Sequence, residues 1–393
     1  MTLQTKSSLD RLIELLDSTP ESIAQTDAAS QDWKVLQRSP QVLLYGGGNL
    51  GQKIANGLVG KGYSITAIID GNPARQGTSF NGIPVLDGQG AFGRFGDSLP
   101  VVVCVWNLGG TSSYEYIEGQ LTALGFSKIL SAMTALRMYP DVFLPHWRLD
   151  LPEKLLAARG RILEAYKLWS DTPSQELFVD QLSFSLCPTH LSLPGTATVA
   201  EQYVKQPLVP LGDNETFIDC GAFDGDTAQS FLKRTGSRFN QIICFEPDPI
   251  NFQRLSAWRE TLPEDIRSRI SANQLGVSDR DCDLFTEAVG AGHSRVTHSG
   301  EAPVHCVSLD DFLTVVPTYI KMDIEGAEPE ALQGASNVIR RSQTKLAICV
   351  YHKQGHLWEI PLQMKELVPE HTFHLEHHGT GPSDTVCYAF PKK

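Results

Sequence analysis

Short apolar runs alternate along this chain with longer stretches that carry an apolar residue every three or four positions. That alternation predicts strands laid between helices. In the first half, Val42-Leu43-Leu44-Tyr45 predicts a strand and Gly46-Gly47-Gly48-Asn49-Leu50-Gly51 a turn. A helix follows to about Gly60, residues 65–70 and 100–105 predict further strands, and residues 112–124 another helix. In the second half, strands are predicted at 216–220, 241–246, 270–276, 318–323 and 346–351. Residues 282–288 and 303–308 predict an inserted hairpin. Residues 371–376 and 384–390 predict a closing antiparallel pair around Gly379 and Gly381. Alternating strands and helices imply a parallel sheet, so the fold class is α/β with two Rossmann-like domains.

The boundaries follow from changes in pattern. Residues 1–40 read as a polar, helical N-terminal appendage with Leu12, Ile13, Leu15 and Leu16 as its apolar stripe. Residues 41–135 form the first α/β domain and residues 214–393 the second. Between them, residues 136–213 read as mostly helical with scattered prolines and aromatics, which suits a linker, a lid or the wall of a substrate pocket.

Composition narrows the function classes. With 393 residues, 41% hydrophobic and 20% charged, the chain reads as an ordinary globular protein of about two domains. Its formal net charge of −12 argues against a basic nucleic-acid face and against attraction to anionic membranes. The eight cysteines form no CxxC pair, and Cys104, Cys220, Cys244 and Cys349 sit in apolar runs. Buried reduced thiols in a cytoplasmic protein are the expectation. No signal peptide is evident, and no apolar run approaches the ~18 residues of a membrane span.

Both halves place glycines after a strand. Gly46, Gly48 and Gly51 match GxGxxG, with Asp70 ending the next strand, the arrangement that offers helix N-terminal amides to a phosphate. The turn alone is equally compatible with a degenerate domain that binds nothing. With Ile68-Ile69-Asp70-Gly71-Asn72-Pro73 and Gly82-Ile83-Pro84-Val85-Leu86, residues 41–130 resemble the N-terminal domain of pilin-glycosylation-type sugar O-acyltransferases. That resemblance implies a nucleotide or nucleotide-sugar site.

In the second half, Asp219-Cys220-Gly221-Ala222-Phe223-Asp224-Gly225-Asp226-Thr227 precedes Phe245-Glu246-Pro247-Asp248. No third glycine packs a pyrophosphate helix, and the acidic residues would repel a pyrophosphate but tolerate a cationic sulfonium. Further on stand Ile320-Lys321-Met322-Asp323-Ile324-Glu325-Gly326-Ala327-Glu328 and Ala347-Ile348-Cys349-Val350-Tyr351-His352-Lys353. On these motifs, residues 200–391 resemble the FkbM family of S-adenosylmethionine-dependent O-methyltransferases. The resemblance implies a seven-stranded class I methyltransferase sheet with an antiparallel last strand. It also implies methylation of a hydroxyl on a sugar, glycoconjugate or polyketide-like small molecule. His374-Leu375-Glu376-His377-His378 departs from the family, whose members often carry a tyrosine/arginine-rich string there.

Residue roles follow from chemistry and resemblance together. Gly221, Ala222 and Gly225 let the chain pass under the methionine part of the cofactor, and Asp219 and Asp226 are placed to take its ammonium. Glu246, followed by Pro247, holds the ribose hydroxyls, and the region of Val277 lines the adenine. For transfer to a hydroxyl, His352 is the expected proton acceptor, with Asp323 orienting it or acting with Glu325 on the substrate. A divalent cation held by Asp323, Glu325 and His352 is a second chemistry open to the same set. Glu328 and Glu330, beside Pro329, read as complements of a helix dipole. The histidines near 374–378 read as surface or pocket-rim residues. A small molecule or glycan is the implied partner, and self-assembly into a homo-oligomer stays open. The alternatives are an NAD(P)-dependent oxidoreductase using the first domain, and a non-catalytic nucleotide-binding regulator.

Overall fold

The computed structural model describes residues 6–26, 28–105, 113–187, 198, 201–287, 295–297, 300, 302–379 and 383–392. The chain divides into two compact units. Unit 1 is Met1–Arg159 with Val179–Pro194 and Gly379–Pro382; unit 2 is Gly160–Phe178, Gly195–His378 and Ser383–Lys393.

Unit 1 opens with α1 (Ser8–Leu16), α2 (Pro20–Thr26) and α3 (Ala28–Gln37). It continues through β1 (Gln41–Tyr45), α4 (Asn49–Gly60), β2 (Ser64–Ile69), β3 (Ser79–Phe80), β4 (Ile83–Leu86) and α5 (Gly88–Phe95). Then come β5 (Val101–Val103), α6 (Tyr114–Leu124), β6 (Ile129–Ser131), α7 (Ala132–Met138), α8 (Pro140–Phe143) and α9 (Pro152–Ala157). Its sheet runs β3-β4-β2-β1-β5-β6, parallel throughout except at β3–β4. The N-terminal helices, expected as an appendage, fall within unit 1. Leu12 and Leu36 are fully buried, and Leu36 joins the core that Leu44, Ile54, Leu58 and Val102 build. Of the expected stripe, Leu12 and Leu16 turn inward while Ile13 is exposed, as the i, i+4 geometry of a helix requires.

The segment 136–213, expected as a linker, a lid or a pocket wall, is divided between the two units. It holds α7, α8, α9, α10 (Arg159–Tyr166) and α11 (Thr172–Leu186).

Unit 2 contains β7 (Thr216–Cys220), α12 (Asp226–Thr235), β8 (Gln241–Phe245), α13 (Pro249–Glu260), α14 (Glu264–Arg267) and β9 (Ile270–Asn273). Next are β10 (Gly276–Val277), β11 (Cys282–Glu287), β12 (Arg295–Thr297), β13 (Ala302–Val307), α15 (Leu309–Phe312) and β14 (Tyr319–Met322). It closes with α16 (Glu328–Gly334), α17 (Ser336–Arg341), β15 (Lys345–Cys349), α18 (His356–Leu367), β16 (Thr372–His377) and β17 (Thr385–Phe390). The seven-stranded sheet has the order β16-β17-β15-β14-β7-β8-β9, and β17 is antiparallel to both neighbours. The expected hairpin is the β11–β13 antiparallel pair of a separate four-stranded sheet, β10-β13-β11-β12. Residue 288, Gly381 and residue 112 from the expected elements lie outside the described residues.

The chain leaves β7 toward β8 on one side, and β14 pairs on the other. Strand order reverses there, opening a crevice at the carboxyl ends of β7 and β14. Beneath it, Phe217 stacks on Phe231 and Tyr319, with ring centroids 4.7 and 5.0 Å away. The eight cysteines are free; Cys187 and Cys282 are partly accessible and the other six buried. Among the described residues no helix is long and apolar enough to cross a membrane.

Candidate active site

The turn after β7 is one that only glycine serves well. Gly221 has φ +77°, and a Cβ there would lie 2.0 Å from the Asp323 carbonyl oxygen. The Gly221 and Ala222 amides both donate to the Phe245 carbonyl at 3.0 Å, which ties the turn to the end of β8. Gly225, at φ +92°, begins α12 against the Trp258 ring. Glu246 follows β8. Its two oxygens accept from the Phe223 amide at 2.8 Å and the Asp248 amide at 2.9 Å. Burial pushes its carboxyl up to about 7, against these two amides. A cavity of about 420 Å³ lies over these strand ends.

At the cavity floor, strand register decides a charge pair, of which Lys321 lines the cavity. Asp219 of β7 stands opposite Lys321 of β14, and the Lys321 ammonium lies 3.0 Å from Asp219 Oδ1. Lys321 also donates to the Gly221 carbonyl at 2.5 Å, so it staples the glycine turn from beneath. Burial works against the ammonium, but Asp219, Asp323 and Asp226 outweigh it and hold it above the usual lysine range. Burial pushes the Asp219 carboxyl up to about 6, with Lys321 opposing.

At the far wall, Asp323 follows β14. Its Oδ2 accepts from the Tyr203 hydroxyl at 2.9 Å and its Oδ1 from the Tyr351 hydroxyl at 3.0 Å. His352 Nε2 lies 3.3 Å from Asp323 Oδ1 and 3.6 Å from Glu325 Oε2, and its Nδ1 lies 2.9 Å from Glu328 Oε1. Burial works against the imidazolium, but Glu328, then Glu325 and Asp323, carry His352 up to about 9. Glu328 is fully buried as well. Burial opposes its charge, but His352 and His356 hold its carboxyl well below the usual range.

Residues 219–379 match the model of the Methyltransferase FkbM domain. Over the whole chain, the fold matches a crystal structure of methyltransferase FkbM from Methylobacillus flagellatus KT. The TM-score is 0.78 at 20% identity, with 98% of this chain and 99% of that chain covered. Weaker likenesses, both at TM-score 0.32, include two further structures. One is a precorrin-6y C5,15-methyltransferase from Geobacter metallireducens GS-15, at 10% identity with 50% of this chain and 94% of that chain covered. The other is an rRNA methylase from Streptococcus thermophilus, at 15% identity with 48% and 99% covered. No curated protein matches the chain. The domain match supports methyl transfer as the chemistry of residues 219–379, and the structural likeness shows a shared fold.

Within the matched residues, Gly221, Asp226, Glu246, Pro247 and Val277 line the cavity, as do Asp323 and Glu325. Asp219, Ala222, Gly225 and His352 do not. Asp219 is spent on Lys321. His352 has no exposed surface and both ring nitrogens face carboxylates, so its position does not suit a proton acceptor for a bound substrate. Asp323, Glu328 and His352 can each bring one ligand atom within 4.8 Å of the others. A cation there would take the Nε2 lone pair of His352 in exchange for a proton while Nδ1 stays against Glu328, so metal and imidazolium are competing states of one donor set, and no step is routed through a metal. His377 and His378, expected near the surface, are fully buried.

The pattern missed four residues. Lys321 carried a signal: a charge inside an apolar strand needs a partner, and Asp219 sits at the same depth of the neighbouring strand. Glu328 was legible only as a helix-terminal acid. Tyr203 and Asp384 reach the cavity from positions far along the chain, and nothing local announces them.

In unit 1, Gly46 has φ +96° and its amide donates to the Ile69 carbonyl at 2.7 Å. A Cβ at Gly51 would lie 1.9 Å from the Gly46 carbonyl oxygen, so this glycine lets α4 pack on the turn. Gly48 caps α4 and faces open space. Asp70 accepts from the Gly47 amide at 2.9 Å and the Asn72 amide at 2.8 Å, and pairs with Arg75 at 3.2 Å. A cavity of about 490 Å³ touches Asp70 and none of the three glycines.

Proposed function

We propose that unit 2 transfers a methyl group from S-adenosylmethionine to a hydroxyl of a sugar, glycoconjugate or polyketide-like small molecule. The observation that carries this reading is the cavity at the strand-order reversal, lined by the Gly221 turn, Glu246 and Val277 inside the matched domain. Glu246 takes the ribose hydroxyls, the Gly221 turn passes beneath the methionine part, Asp226 is within reach of its ammonium, and Val277 lies against the adenine. The sulfonium supplies an activated methyl group with a neutral leaving group, so the protein mainly aligns an oxygen with it. As the new C–O bond forms, the oxygen becomes strongly acidic, and a carboxylate suffices to remove its proton. Asp323 is the cavity-facing carboxylate held by two hydroxyls and an imidazole, and we assign it that role, with Glu325 beside it. His352 orients Asp323.

Calorimetric titration of S-adenosylmethionine and S-adenosylhomocysteine tests the cofactor. Binding to wild type that is lost in Glu246→Ala supports it; no binding to wild type sinks it. Methyl-labelled cofactor offered to panels of sugars, glycoconjugates and polyketide alcohols tests the acceptor class. Label on amines or nucleic acids alone would overturn the hydroxyl assignment.

For unit 1 the glycine turn supports a nucleotide or nucleotide-sugar site. The dinucleotide oxidoreductase reading has less support, because both Asp70 oxygens already serve the turn and Arg75.

A further inference from the structure

We propose that Glu328 is a positioning residue for methyl transfer, acting through His352 to hold the Asp323 carboxylate in place against the acceptor hydroxyl. This rests on the role assigned to Asp323 above.

Glu328 opens α16, where a carboxylate complements the helix dipole. That explains its presence at the terminus but neither its complete burial nor its company. Its Oε1 accepts from the Ile324 amide at 2.9 Å and lies 2.9 Å from His352 Nδ1, and its Oε2 lies 3.3 Å from His356 Nδ1. One side chain thus joins the loop after β14, the loop after β15 and the first turn of α18. His352 continues the line to Asp323.

Each ring nitrogen of His352 faces a carboxylate oxygen. A neutral imidazole has one N–H and one lone pair, so one of the two contacts would set a lone pair against a carboxylate. Only the doubly protonated ring satisfies both. The acids around it favour that form: Asp323 and Glu325 from the loop after β14, Glu328 from α16 and Asp384 before β17; the Tyr351 ring packs beside it, and His356 of α18 shares Glu328 with it. With Tyr203 and Tyr351 also donating, Asp323 is held through both oxygens. An error of about 1 Å at a reacting group can cost roughly 100-fold in rate, so the line from Glu328 to Asp323 bears on turnover without touching substrate.

NMR titration of the His352 ring, in protein labelled at histidine and loaded with S-adenosylhomocysteine, tests this, with His352→Gln providing the assignment. Wild type should hold the proton to a midpoint of about 9. In Glu328→Gln, which keeps the side-chain volume, the midpoint should fall by at least ~1 unit. Asp323→Asn should lower it too, since either carboxylate favours the charged ring. Affinity for S-adenosylhomocysteine should stay within ~2-fold of wild type, while transfer to any hydroxyl acceptor labelled above falls ~10-fold or more. If Glu328 acts through His352, the double variant Glu328→Gln/His352→Gln should lose no more activity than His352→Gln alone. A midpoint unmoved by Glu328→Gln, a midpoint abolished by added Mg²⁺, or additive losses would overturn the proposal. Failure of wild type to bind S-adenosylhomocysteine would instead overturn the methyl-transfer reading itself, which the titration curve does not decide.

Discussion

The two glycine turns share a plan and differ in what their carboxylates face. In unit 1, Asp70 at the end of β2 bonds back to the Gly47 amide and is matched by Arg75. In unit 2, Glu246 after β8 also bonds to its own turn, at the Phe223 amide, but the positive charge acting on it is Lys321, which is itself paired with Asp219. Burial, with the charge of Asp248 adding to it, raises the second carboxyl, whereas the first has the Arg75 guanidinium beside it. A strand, a glycine turn and a terminal acid therefore specify a shape; the neighbours of the acid separate a self-satisfied turn from a poised one.

The largest expected effect tests the foundation of the poised turn. Asp219→Ala removes the carboxylate paired with a buried ammonium and should cost ~3–5 kcal/mol in urea unfolding. Asp219→Leu combined with Lys321→Met should recover most of it. A small loss from Asp219→Ala would mean that Lys321 is neutral in the fold.

Next comes ligand affinity. Glu246→Ala should weaken S-adenosylhomocysteine by roughly 100-fold, the equivalent of two hydrogen bonds to a charged group. Asp70→Ala should leave that binding untouched. Equal losses would erase the distinction between the turns.

Smaller again is a pH effect. Unfolded carboxyls titrate near ~4, while Glu246 and Asp384 titrate in the fold at about 7 and about 6, raised by burial. Between those values the folded state holds more protons than the unfolded one, so stability falls as pH rises from 5 to 7. In thermal unfolding without ligand, Glu246→Gln should flatten that slope; an unchanged slope would place the titration elsewhere.

The smallest effect on stability belongs to Gly48→Ala. Its Cβ would enter open space at φ −75°, so the fold should change by under ~1 kcal/mol. If unit 1 holds a nucleotide at its turn, that variant should lose binding of UDP-glucose or NADH measured by calorimetry or fluorescence. Gly51→Ala, which drives a Cβ into the Gly46 carbonyl, should instead disrupt unit 1 outright.

Much of the fold was legible because buried strands flanked by turn residues announce themselves: β7, β8, β14 and β15 lie within a residue or so of their expected bounds. The two-residue β3 and the three-residue β6 are too short to show a period. In the site, the acids at strand ends could be placed, but not their directions. Position in a strand fixes which end of the sheet a residue occupies, while contacts far along the chain fix whether it opens to the cavity. Thus Asp323 faces the cavity, with Tyr203 donating to it from 120 positions earlier in the chain. His352, at the tip of the neighbouring strand, is sealed between two carboxylates. The dipole reading of Glu328 was sound physics for an exposed helix end, and burial changed its meaning.

The distribution of thiols turns this protein into its own opening gauge. Cys104 reports on the sheet of unit 1, and Cys220, Cys244, Cys349 and Cys387 on that of unit 2, each sealed and with its thiolate disfavoured by burial. An alkylating reagent that has consumed Cys187 and Cys282 can then proceed only as fast as each sheet breathes, so mass-resolved trapping rates would rank the local looseness of the two halves without any introduced label.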